Sequence, residues 1–187
     1  MTASQRAAVA RFRWWLGLFW IGLVLSGVTA FPLLTELRVL VDVLGLDRAD
    51  RSVFGAAEGI VTWVLRVRAG LEDVYVRYPW LAYGTDWLAF GHLAISLFFI
   101  GPWIRPAGSR GVLLAGMAAC VAVIPTALIC GQIRGIPLGW RMIDCSFGVF
   151  GIVPLIACYR LLSIIESTGS DGPTAEDADG ETKKRRQ

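Results

Sequence analysis

Six ionisable side chains stand in or beside long apolar runs, where charge is costly and tends to mark function: Glu36, Asp86, His92, Arg134, Arg141 and Asp144. His92 is the only histidine in the chain. Such a set can line a polar binding site, or it can form an acid–base device in which His92 exchanges a proton with Asp86 or Asp144. On a helix Thr85, His92 and Ser96 share a face, because positions four and seven apart line up, whereas Asp86 is turned about 120° from His92. Asp144, on another run, is then the alternative partner for His92, and the two arginines can neutralise the carboxylates. A purely structural role competes with both readings: Arg134 or Arg141 bridging Asp86, Glu36 or Asp144 only to hold helix ends together.

Other site chemistry finds little support in the spacing. Cys120, Cys130, Cys145 and Cys158 contain no C-x-x-C and no C-x-x-C-H, so no zinc knuckle, thioredoxin-like pair or haem attachment is encoded. One histidine with carboxylates and a thiol would be an unusual metal cage, and no metal or other cofactor is expected. Cys145 or Ser96 beside His92 is a geometrically allowed nucleophile, but no motif fixes it. Cys130 and Cys145 are expected to lie near each other at the outer ends of their helices without an obligatory bond.

The elements that must position these residues are set by hydrophobicity. Of the 187 residues 55% are hydrophobic and 18% charged, and the mean hydropathy is +0.57, which excludes most soluble classes and leaves no room for a separate enzyme domain. The charge of +3 comes from 18 basic and 15 acidic residues mixed along the chain, so nucleic-acid binding has no electrostatic footprint. No charge interrupts the stretch between Arg13 and Glu36 or that between Arg110 and Arg134, and each is long enough to cross the ~30 Å hydrocarbon core. Spans are predicted over residues 14–35, 84–104, 111–133 and 143–165. In the fourth, Asp144 and Arg160 lie near the ends and reach the interfaces by snorkelling. Pro32, Pro102, Pro125 and Pro154 should kink their helices. Tryptophans such as Trp14, Trp80, Trp87, Trp103 and Trp140 collect near span ends, as interfacial belts do.

The fold expected is an all-α membrane protein: a four-transmembrane-helix bundle with an external amphipathic helical segment between spans one and two. The segment covers residues 36–83, with turns at 105–110 and 134–142. Within it Ala57, Ile60, Val61, Val64, Val67, Leu71 and Val74 recur at helical spacing, and the stripe is expected either to lie on the outer leaflet or to pack over the bundle. Residues 166–187 have almost nothing to bury and are expected to form a disordered tail. Residues 1–13 form a basic N terminus. Arg6, Arg11 and Arg13 precede span one, and with Arg105, Arg110, Arg160, Lys183, Lys184, Arg185 and Arg186 they place ten of the 18 basic residues on one side, which orients both termini to the cytoplasm. The first span also has the outline of a secretory signal with Val28-Thr29-Ala30 as the cleavage site, although three tryptophans suit an anchor better.

The stretches YGTDWLAFGH (Tyr83 to His92), IRGIPLGWRMIDCSFGVFGIVPL (Ile133 to Leu155) and TAFPLLTEL (Thr29 to Leu37) resemble a family of small four-span bacterial membrane proteins of uncharacterised activity. The resemblance implies a bacterial inner membrane and assigns no site residues. Two functional readings follow. One is a binding or accessory membrane protein whose outward polar pocket takes a small ligand, a lipid head group or a partner membrane protein, with homo-oligomers allowed. The other is a proton-coupled carrier or membrane-embedded acid–base enzyme using His92.

Overall fold

A computed structural model describes residues 2–167, and every regular element among them is helical. The order is α1 (Ala3–Ala30), α2 (Leu33–Leu44), a short 3-10 segment (Arg51–Ala57), α3 (Glu58–Arg77), α4 (Pro79–Leu97), α5 (Ile100–Ile104), α6 (Arg110–Ile133) and α7 (Leu138–Glu166). Four helical stretches are long and apolar enough to cross a membrane: α1, α4 together with α5, α6 and α7. No more than a third of each apolar window is buried inside the protein. Leu18, Ile21, Leu25 and Val28 on α1 and Phe147, Phe150 and Val153 on α7 are all exposed. Surfaces of that extent are tolerable in lipid and not in water, and the four apolar helices are those of a chain compatible with a multi-pass membrane arrangement.

Helix α1 begins well before the expected span, because Thr2 and Gln5 form a reciprocal cap, each side chain bonding the other's backbone N–H. Its 28 residues extend about 42 Å by helix rise, more than the hydrocarbon core requires. The basic N terminus thus forms the first turns of the helix, ahead of its apolar stretch. Proline acts in two ways. Pro32 and Pro102 lack the N–H for the carbonyls of Val28 and Phe98; the helix stops at Ala30 before the first and tightens at Phe98 and Phe99 before the second, where i→i−3 bonds replace the α pattern. Pro125 and Pro154 lie inside helices that continue through them.

The spans pack in the order α4, α1, α7, α6, a row in which α1 and α7 are central and α4 and α6 share no comparable interface. Gly27 of α1 meets Leu93 and the Ala89 carbonyl of α4, and Trp20 Nε1 donates to the Ser96 carbonyl at 3.1 Å. Between α1 and α7, Phe12 and Leu16 pack with Leu155, Cys158 and Leu162, all fully buried. Phe99, at the α4–α5 junction, joins this cluster and reaches Gly116 of α6, which draws the row together at the end holding both helical termini. Glu166 belongs to α7 rather than to a tail: it accepts from Arg110 Nε at 2.8 Å and from the Gly108 N–H at 3.1 Å. The rest of the tail, residues 168–187, lies outside the described residues.

The opposite end is covered by α2 and α3. Gly45, at φ 59°, ends α2 in the left-handed conformation that glycine adopts without penalty. Val61 and Val64 of α3 are buried with Leu37 and Val41 of α2 and Leu46 beyond it, and Ile60, Val67, Leu71 and Trp140 pack around them. The apolar stripe of the intermediate segment therefore rests on protein. Ala57 precedes the helix and is exposed. Ile60 also touches Gly139 at the start of α7, so α3 bridges α2, α4 and α7.

Candidate functional site

The six polar residues are distributed over four helices at or toward the α3-covered end. Asp86 and His92 are on α4, Asp144 and Arg141 on α7, Arg134 just beyond the end of α6, and Glu36 in the first turn of α2. Among the described residues none of the six takes part in an ion pair within 4.0 Å; the pairs present are Arg38–Glu72, Arg68–Asp47, Arg77–Asp73 and Arg110–Glu166. A bridge from Arg134 or Arg141 to Asp86, Glu36 or Asp144, the structural role weighed from sequence, does not form.

Arg141 is instead built into the α6–α7 interface. These helices form a hairpin around the turn at Gly135, whose φ of 68° closes it, and residues at similar chain distances from that turn face each other. Gly131 faces Arg141: a Cβ on Gly131 would lie 2.6 Å from Cδ and 2.7 Å from Cγ of the arginine. The missing side chain is the seat for the arginine stem. Arg141 Nη1 donates to the Leu128 carbonyl at 3.3 Å, and Nε is buried with no hydrogen-bond partner. A guanidinium has five donors, and most of those on Arg141 have no protein acceptor. Asp144 follows three residues later on the α7 stripe with Gly148 and Gly151 that faces α6 and α1. It is half-buried.

His92 is engaged locally. Nδ1 lies 2.8 Å from the Leu88 carbonyl one turn back, and since a carbonyl only accepts, Nδ1 carries a proton and donates it there. The other polar residues on its face do the same: Thr85 donates to the Ala82 carbonyl at 2.6 Å, and buried Ser96 to that of Leu93 at 2.7 Å. The face is polar by composition, and its hydrogen bonds are closed within α4.

All four cysteines are free thiols. Cys145 is buried and turns toward the Ile124 carbonyl of α6 at 3.9 Å, whereas Cys130 is exposed. Among the described residues no group of three or more His, Cys, Asp or Glu is placed to hold a metal ion.

Comparison with protein-family models, with curated proteins and with solved structures gives no match. The reading of the site therefore rests on its own chemistry.

Reasoning from sequence did not find Gly131 and Leu128 as the support of Arg141. The signal was present: Gly131 and Arg141 are each five residues from Ile136, and in an antiparallel helical hairpin such pairs meet. Glu36 is placed apart from the others, in an open groove along α2 whose lining includes none of the other five.

Proposed function

We propose that this chain is a binding or accessory protein of the bacterial inner membrane. Both termini are cytoplasmic, and the outward end presents a polar site in which Arg141 receives an anionic group of a small ligand, a lipid head or a partner protein. The observation that carries this reading is the seat of Arg141: a guanidinium held in place by Gly131 and Leu128, with no carboxylate within ion-pairing distance to neutralise it. A cation fixed and left unpaired in a partly desolvated place favours an anion strongly.

The second reading, a proton-coupled carrier or acid–base enzyme, draws support from Asp144, an unpaired half-buried carboxylate on a bundle-facing stripe. The His92–Leu88 bond weighs toward the histidine as a strut. Native mass spectrometry of the purified protein, read alongside complementation in cells, separates the two. Arg141→Gln should lose the bound mass and the function, Arg141→Lys should keep part of both, and His92→Gln should keep most. A well-folded His92→Gln protein without function, together with a functional Arg141→Gln, would establish the acid–base reading in its place.

The orientation rests on Arg6, Arg11 and Arg13 in the first turns of α1. Reporter fusions after Trp63 and after Ser167 are expected to report opposite sides of the membrane, with Trp63 outside. Both on one side would defeat the four-span arrangement.

A further inference from the structure

Helix α2 has two apolar faces, and only one of them is packed on protein. Leu34, Leu37 and Val41 are buried, the last two in the cluster with α3. On the other side Val39, Leu40, Val43 and Leu44 are exposed, Val43 at 76%, and with Glu36 they line a shallow groove of about 440 Å³. Thr35 lines the groove as well; Arg38 and Asp42 occupy the remaining flank by helical spacing, and Arg38 is tied there to Glu72 of α3 at 2.8 Å.

What covers the exposed face follows from its continuity with α1. Ile21, Leu25 and Val28, all exposed, form the stripe of α1 that must face lipid, exposed Phe31 continues it past the helix end, and α2 begins three residues after that span ends at Ala30. With the arginines of the first turns outside one side of the bilayer, a hydrocarbon core of ~20 residues counted from Trp14 ends close to Leu33. The exposed face of α2 thus starts at the bilayer boundary. Arg38 and Asp42 are segregated on one flank, away from the exposed apolar arc, and such segregation suits a helix lying in the interface.

Glu36 gives the groove its selectivity. Its carboxylate stands at the bilayer boundary within the apolar arc, exposed and with no Lys, Arg or His within 4.0 Å. The complement is an amphiphile with a hydrocarbon tail and a cationic head that can donate hydrogen bonds. A primary ammonium does so, as the lysine head does; a quaternary ammonium has no N–H, and an anionic head group is repelled.

We propose that α2 lies in the membrane interface and that its groove binds an aminophospholipid, with the ammonium on Glu36 and an acyl chain along Val39, Leu40, Val43 and Leu44. The site is separate from that of Arg141 and stands without it.

The test is native mass spectrometry of the full chain, delipidated in detergent and offered phosphatidylethanolamine, phosphatidylcholine and phosphatidylglycerol with identical acyl chains. Both heads carry the same positive charge, so the preference measures the hydrogen bonds that only the ethanolamine ammonium can donate; the parent should retain the ethanolamine lipid over the choline lipid by roughly two- to fivefold, as befits an exposed pair. Glu36→Gln should remove that preference and leave general lipid binding. Val43→Asp should lower retention of all three lipids, and Arg141→Gln should leave the preference intact. Equal retention of ethanolamine and choline lipids by the parent, or an undiminished preference in Glu36→Gln, overturns the proposal. So does a dimer that Val43→Asp dissociates without changing lipid retention, since a second copy would then be the occupant.

Discussion

Gly148→Ala is expected to destabilise the bundle, and Gly148→Leu to leave none of it folded. A Cβ at this position runs into the carbonyl oxygen of Cys120 on α6, and a helical carbonyl held in its own backbone cannot swing aside as a side-chain tip can. The two helices must separate, and α6 packs on α7 more extensively than any other pair. Close approach through small residues is what associates helices in lipid, where no hydrophobic force does so. Overpacking of a filled interior costs about 1–3 kcal/mol, and a rigid obstacle puts alanine toward the upper end of that range. Gly116 and Gly151 should tolerate alanine better, since their nearest obstacles are the side chains of Leu155, Phe99 and Cys120. Gly22 has nothing within 4 Å and is the control: alanine there removes a helix-interior glycine and should be neutral or stabilising by about 0.5–1 kcal/mol. Thermal melts in detergent, followed by size-exclusion profiles, measure all four. Parent-like melting of Gly148→Ala would mean that the α6–α7 contact is looser than the geometry states.

The spans are legible because charge placement alone frames them: nothing ionisable interrupts Arg13 to Glu36 or Arg110 to Arg134. The early start of α1 was also encoded, in the T-x-x-Q spacing of Thr2 and Gln5, but such short caps are overshadowed by hydropathy. Whether a proline stops a helix was not legible. Pro32 and Pro125 offer the same missing N–H; the first is followed by a new helix with its own packing partner in α3, the second lies on a helix clamped along α7. The two prolines differ in tertiary surroundings, which local sequence does not contain. Position along the helix was readable for Asp86, His92, Arg141 and Asp144, since it follows residue number within each helix. Their partners were not. Which side chains meet depends on the lateral order α4, α1, α7, α6, and the sequence constrains only neighbours joined by short turns, as α6 and α7 are. That is why the seat of Arg141 lies within reach of sequence reasoning, whereas the closure of Thr85, His92 and Ser96 upon their own helix required coordinates.

Gly131→Ala tests the Arg141 seat without touching the charge. The added methyl collides only with the Cγ and Cδ of Arg141, part of a flexible stem, so the fold should survive and the arginine should leave its place. Losing the bond to the Leu128 carbonyl costs about 0.5–1.5 kcal/mol. The bound anionic mass should fall as far in Gly131→Ala as in Arg141→Ala, although the former retains every charge of the parent. The double variant makes the argument sharper. Once Arg141→Ala has emptied the seat, a methyl at Gly131 fills space and removes a helical glycine, so the same substitution that destabilised the parent should be neutral or stabilising by about 0.5–1 kcal/mol. The difference between the two effects is a coupling of about 0.5–2.5 kcal/mol, in the range found for residues in direct contact. It can be read from melts of the four proteins. Additive effects, or a Gly131→Ala protein that binds like the parent, would show that the guanidinium does not depend on this seat, and Arg141 would then have no fixed position from which to select an anion.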